Sequence, residues 1–79
     1  MKLTGEHTAK SGRVYSYEVD CGESSRGVAW AAHIRDADGH LRDSPSGMIY
    51  GLRLNDPYAE KTIRGAVVVA IEGGVASSG

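Results

Sequence analysis

Val28-Ala29-Trp30-Ala31-Ala32-His33-Ile34-Arg35-Asp36-Ala37-Asp38-Gly39-His40-Leu41 carries the chain's one tryptophan and its clearest alternation of apolar and polar residues. Successive side chains of a strand point to opposite faces of the sheet. Over residues 28–36 one face therefore holds Val28, Trp30, Ala32 and Ile34, and the other holds Ala29, Ala31, His33 and Arg35. The first set is apolar and includes a large aromatic, so it is assigned to the core. The second runs from small to polar and is assigned to solvent or a partner. Asp38-Gly39 follows as a hairpin signal, because a type I′ turn needs the positive φ that this dipeptide tolerates.

Upstream, residues 13–20 alternate in the same way, with Tyr15, Tyr17 and Val19 on one side and Val14, Ser16 and Glu18 on the other. Tyrosine and valine suit the pleated surface, so this is a second strand. Cys21-Gly22-Glu23-Ser24-Ser25-Arg26-Gly27 reads as the loop between the two. Residues 1–12 are polar and broken by glycine, and they read as a loose arm with at most a short edge strand near Leu3.

Downstream, Pro45 cannot donate to a ladder and marks an edge or a bulge. Residues 46–54 then read as a third strand, with Met48, Tyr50, Leu52 and Leu54 on one face and Ile49, Gly51 and Arg53 on the other. Asp56-Pro57 supplies an N-cap followed by a proline at the first helical position, where its missing N–H costs nothing. Ala59, Ile63, Ala66, Val67, Ala70 and Ile71 form one helical stripe, and Glu60 and Arg64 form an outward i,i+4 pair. Gly73-Gly74 ends the helix with a left-handed cap. A helix over 57–72 is thus predicted. The rival is a short helix to Arg64 with a buried strand over 66–71, because Val67-Val68-Val69 is β-branched and follows Gly65. Residues 74–79 read as a flexible tail. The predicted fold is α+β: a three-stranded antiparallel meander (13–20, 28–36, 46–54) with one C-terminal helix on one face. Tyr15, Tyr17, Trp30, Ile34, Tyr50 and Leu52 would meet Ile63, Val67 and Ile71.

Seventy-nine residues make one domain rather than two. A chain this short hides only about 60% of its unfolded surface, so each large apolar residue matters. Phenylalanine is absent, which leaves Trp30 and the tyrosines to supply aromatic bulk. Nine basic against ten acidic residues deny the chain the overall positive field of a typical nucleic-acid binder, though not a local basic patch. A single cysteine, Cys21, permits no intrachain disulfide and fits a reducing compartment. No apolar leader or membrane-length run is present, so a cytoplasmic protein without membrane association is expected.

The chemistry-bearing residues are sparse. His7, His33 and His40 match no metal-site spacing, and Cys21 has no Cys-x-x-Cys partner. Ser24-Ser25 lacks a nucleophile elbow. Asp36, Asp38 and Asp43 lack the bidentate glutamate of a calcium loop. No catalytic residue, metal site or cofactor is therefore expected.

Arg26-Gly27-Val28 followed by Trp30-Ala31-Ala32-His33-Ile34-Arg35-Asp36 resembles part of the plant ethylene-response-factor DNA-binding domain. That family has an Arg-Gly-Val element, a Trp/Phe-Ala-Ala-Glu-Ile-Arg-Asp strand and a sheet that lies in the DNA major groove. The resemblance implies that Trp30, Ala32 and Ile34 are buried, that His33 stands where a contacting Glu sits, and that Arg35 stands where a contacting Arg sits. The family's basic Arg-x-Arg-Pro-Trp-Gly segment and its Arg-Val-Trp-Leu-Gly strand have no counterpart here. The βββα plan also resembles integrase arm-binding domains and small antitoxin-like bacterial modules. As a whole the chain resembles short bacterial proteins of unknown function.

The candidate binding face is therefore Arg26, Ala29, Ala31, His33, Arg35 and Arg53. Its small residues would let a protein or peptide partner approach an open sheet face or an exposed edge. Alternatively, its arginines and His33 would contact nucleic acid.

Overall fold

The computed structural model describes residues 1–74. The chain is α+β, an antiparallel sheet with one C-terminal helix. The sheet has more strands than the sequence suggested: β1 (Lys2–Thr8), β2 (Val14–Ser24), β3 (Gly27–Arg35), β4 (Leu41–Asp43) and β5 (Ser46–Tyr50), followed by α1 (Ala59–Gly73). β1, β2 and β3 run as an antiparallel meander, and β4 and β5 both pair with β3 along its second edge.

The alternation read in β2 and β3 holds. Tyr15, Tyr17, Val19, Val28, Trp30, Ala32 and Ile34 are buried on the face that α1 covers, and Cys21 joins them opposite Trp30. α1 contributes Ala59, Ile63, Val67 and Ile71, each four residues from the next. Burying an Ile or Val side chain is worth about 1.5–3 kcal/mol, so α1 is held by this stripe. It remains helical from Ala59 to Gly73, which removes the rival strand over 66–71. Ile49, Leu52, Leu54, Ala66 and Ala70 close the margin of the core.

Several expectations are corrected. Residues 2–8 are not a loose arm. They form β1, which pairs with β2 from Lys2–Asp20 to Thr8–Val14. Only Leu3 among them is a large buried apolar residue, so the strand owes its order to the β2 backbone and to contacts from the helix. Arg64 Nη1 donates to Thr4 O (2.8 Å) and to Tyr17 Oη (3.0 Å). Glu72 Oε1 accepts from Lys10 N (3.3 Å) and lies 3.7 Å from His7 Nε2. Gly5 leaves room for this clasp, since a Cβ there would stand 2.6 Å from Tyr17 Oη and 2.7 Å from Arg64 Nη1.

β2 continues through Cys21 to Ser24, and the turn is Ser25-Arg26 rather than a loop over 21–27. The hairpin after β3 is not a type I′ turn at Asp38-Gly39. Asp38 does not adopt positive φ, whereas Gly39 does (φ 85°). Gly39 N donates to Asp36 O and Asp36 N to His40 O, which makes a three-residue loop ending on a left-handed glycine.

The third strand is shorter than 46–54, and over 46–50 its faces are exchanged, while Leu52 packs at the margin of the core as expected. β5 ends at Tyr50 because Gly51 turns the chain at φ 80°. Ile49 pairs with Val28 and Gly47 with Trp30 on the helix side. Met48 and Tyr50 therefore face the other way, and Tyr50 is 74% exposed instead of packing in the core. The cause is the register. A bulge between Ile34 and Arg35 shifts the pairing, and Pro45, which cannot donate, accepts from Ala32 N (2.8 Å) and carries the ladder into β5.

α1 begins at Ala59 with Tyr58 as its cap position, not at Pro57. Asp56 is used in the preceding turn, where its Oδ1 accepts from Tyr58 N (2.8 Å). Gly74 follows the helix at φ −117° rather than in the left-handed region. The tail expected over 74–79 lies, from residue 75 on, outside the described residues. No helix among the described residues is long and apolar enough to cross a membrane.

Candidate binding face

α1 covers one side of the sheet and leaves the other open. Directly opposed residues share a face, so the pairings assign the side chains of the uncovered surface. From β3 come Ala29, Ala31, His33 and Arg35; from β2, opposite them, Gly22, Asp20, Glu18 and Ser16. Ala29, Ala31 and His33 are exposed, and Arg35 is half-buried at the strand end. β1 adds Lys2, Thr4 and Glu6, and Lys2 Nζ lies 3.8 Å from Glu18 Oε2. β5 adds Met48 beside Ala29 and Tyr50 beside Gly27.

The face therefore has three zones. Its β1–β2 flank is acidic, with Glu6, Glu18 and Asp20 set against Lys2. Its middle is a floor of Ala29, Ala31 and Gly22. Its β5 flank is apolar, with a half-buried Met48 and the protruding Tyr50. The sequence reading placed Glu18 on this side but missed Met48, Tyr50 and Asp20. A usable signal was Gly47: a tryptophan lying across a neighbouring strand needs a residue without Cβ beneath it. A Cβ on Gly47 would stand 3.0 Å from the Trp30 indole.

The predicted arginines do not converge. β3 spans about 26 Å over its eight steps at ~3.3 Å each. Arg35 sits at one end, where its Nη1 donates to Gly39 O at 3.4 Å. Arg26 lies in the turn at the other end, near Arg53, whose Nη1 donates to Ser24 O at 2.9 Å. Leu54 N donates to Glu23 Oε1 (2.8 Å) in the same region, so the segment after β5 is tied back onto the β2–β3 turn. The structure thus places Arg26 and Arg53 at the β2–β3 turn end, His33 and Arg35 on one face toward the other end, and the length of the strand between them.

A cleft of about 420 Å³ lies at the Arg35 end, between the β1–β2 turn and the β3–β4 loop, lined by Gly12, Arg13, Val14, Tyr15, Asp36, Ala37, Asp38 and Arg42. On the β3–β4 loop, Asp36, Asp38 and His40 offer ligand atoms within 4.8 Å of one another. Asp36 Oδ1 is engaged by Asp38 N and His40 N (3.0 Å each), and Oδ2 lies 3.8 Å from Arg42 Nη1. The His40 N–H, foremost among these contacts, holds the Asp36 carboxyl below the usual carboxylate range. Burial pushes the Cys21 thiol up, and Cys21 points into the core, away from the open face. No family model, no curated protein and no solved structure matches this chain.

Proposed function

We propose that this protein is a non-catalytic interaction module that takes a protein or peptide partner on the uncovered face of its sheet. The observation that supports this reading is the central strand itself. Ala29 and Ala31 lie exposed in mid-sheet, with Tyr50 74% exposed and Met48 beside them. Small residues let a partner backbone approach closely, and an aromatic at the rim offers apolar area at low entropic cost. The acidic Glu18 and Asp20 on the opposite flank favour a partner that sets basic side chains beside its apolar ones.

Nucleic acid is the second reading. It draws on Arg26, Arg35, Arg53 and His33, but Glu18 and Asp20 lie on the same face and oppose phosphate. Selection of random displayed peptides tests the first reading. Enriched sequences are expected to bind the wild type and to lose at least about tenfold in affinity, roughly 1.4 kcal/mol, in Ala31→Arg and Tyr50→Ala. Lys61→Glu, on the helix side, should leave that binding unchanged. Peptides that bind all variants equally would remove the face as the site. Binding to mixed DNA and RNA at low salt, weakened by Arg26→Glu and Arg53→Glu, would favour the second reading instead.

A further inference from the structure

The two edges of the sheet are built differently. In an antiparallel ladder, opposed pairs alternate between those that exchange hydrogen bonds and those whose backbone groups point outward. Gly51 N donates to Arg26 O (2.9 Å) and Ala32 N to Pro45 O (2.8 Å), which sets the phase of the β3–β5 ladder. Ile49 and Gly47 therefore bond to β3, and Ser46, Met48 and Tyr50 turn their N–H and C=O groups to the outer edge.

At the opposite edge, Ala9 N donates to Arg13 O, so by the same alternation Lys2, Thr4, Glu6 and Thr8 point outward from β1. That edge is guarded. Arg64 occupies the Thr4 carbonyl, and Lys2 and Glu6 are charged. Charged and covered edges are how proteins avoid unwanted strand pairing. β5, Ser46-Gly47-Met48-Ile49-Tyr50, has neither a charge nor an arginine over its carbonyls. Pro45 and the turn at Gly51 only limit its length.

We propose that β5 pairs antiparallel with β5 of a second copy of this chain, about a two-fold axis through Met48. The occupant follows from the edge's own symmetry. Its outward groups lie at Ser46, Met48 and Tyr50, evenly disposed about Met48, so one copy's donors meet the other's acceptors. Ser46 pairs with the partner's Tyr50 and Met48 with its counterpart. An edge without charge does not repel its own image, and an isologous contact of this kind closes on itself as a dimer. The two-fold runs perpendicular to the sheet, so the two uncovered faces join on one side. The pairing does not depend on peptide capture by that face, although it would double the apolar floor available there.

An interface this short belongs to the weak class, so self-association is expected between about 10 µM and 1 mM. Sedimentation equilibrium should show the mass rising toward twice that of the chain over this range. Amide hydrogen exchange gives the residue-level reading: the Ser46, Met48 and Tyr50 amides should slow about tenfold or more at high protein concentration, while Lys2, Thr4 and Glu6 do not change. Met48→Pro removes an N–H that β3 does not use, and should leave a folded monomer. Met48→Lys and Met48→Glu place like charges on the axis, so each alone should be monomeric, while their mixture should form a heterodimer that salt weakens.

Ala31→Arg should abolish peptide capture and keep the dimer, which separates failure of the one proposal from failure of the other. A wild type that is monomeric at the highest concentration would overturn the pairing. So would Met48→Lys associating as the wild type does, or a dimer that protects β1 amides and not those of β5.

Discussion

At the scale of single residues, two glycines decide how the large side chains lie. Gly47 gives way to the Trp30 indole, and Gly5 does the same for Tyr17. Gly5 sits opposite Tyr17 and leaves the phenol room to pass beneath Arg64, whose guanidinium carbon stands 5.9 Å from the ring centroid. The Tyr17 hydroxyl, foremost, and the Glu60 carboxylate raise the Arg64 pKa above its already high ordinary value, so its charge is constant at every working pH. Gly5→Ala forces Tyr17 and Arg64 apart. We expect it to lower the unfolding free energy by about 1–3 kcal/mol, the usual cost of overpacking, as read from urea titration. In the sequence Gly5 is only a break in a polar arm. What makes it necessary is an arginine near the far end of the chain, a proximity that no local pattern encodes.

At the scale of elements, the β3–β4 hairpin and the helix make separate predictions. Asp36 accepts from Asp38 N and His40 N, and its pKa is depressed. A carboxylate favoured in the folded state contributes stability above its unfolded pKa, and that contribution fades as pH falls through the lower folded value. Thermal melts over this acid range should therefore show a steeper loss in the wild type than in Asp36→Asn, whose amide oxygen still accepts but does not titrate. In α1, Gly65 lies mid-helix, and a methyl group added there would meet open space. Gly65→Ala should stabilise the protein by about 0.5–1 kcal/mol, visible as a higher Tm. The helical stripe was legible because it stays in phase across Gly65. The hairpin was legible as a hairpin but not in its turn type, because Asp38-Gly39 serves a two-residue or a three-residue loop equally and the bulge at Ile34–Arg35 selects the latter.

At the scale of the whole molecule, stability rests on the docking of one helix on one sheet face. Ile63 is fully buried at the centre of the helical stripe. Ile63→Ala should cost about 2–5 kcal/mol through lost burial and the cavity left behind. Against a total of about 5–15 kcal/mol this is a large fraction, and at ~4–8 °C per kcal/mol it lowers Tm by about 8–40 °C in a calorimetric scan. Sheet and helix should melt together, because neither has another apolar surface on which to bury its own.

Alternation in β2 and β3 and the periodicity of α1 followed from the order of residues alone. Burying Tyr15, Tyr17, Val19, Trp30 and Ile34 dominates any other way of arranging those segments, and a two-residue or four-residue spacing carries that information locally. The order of β1, the exchanged faces of β5 and the chemistry of the open side came from elsewhere in the molecule. A polar strand takes its conformation from the backbone it pairs with, and an edge strand takes its facing from the register its neighbour imposes. Here Arg64 closes over Thr4, Pro45 passes the ladder onward, and Gly47 yields to Trp30. Of these, the register through Pro45 and the fit of Gly47 bring Met48 and Tyr50 to the surface beside Ala29 and Ala31.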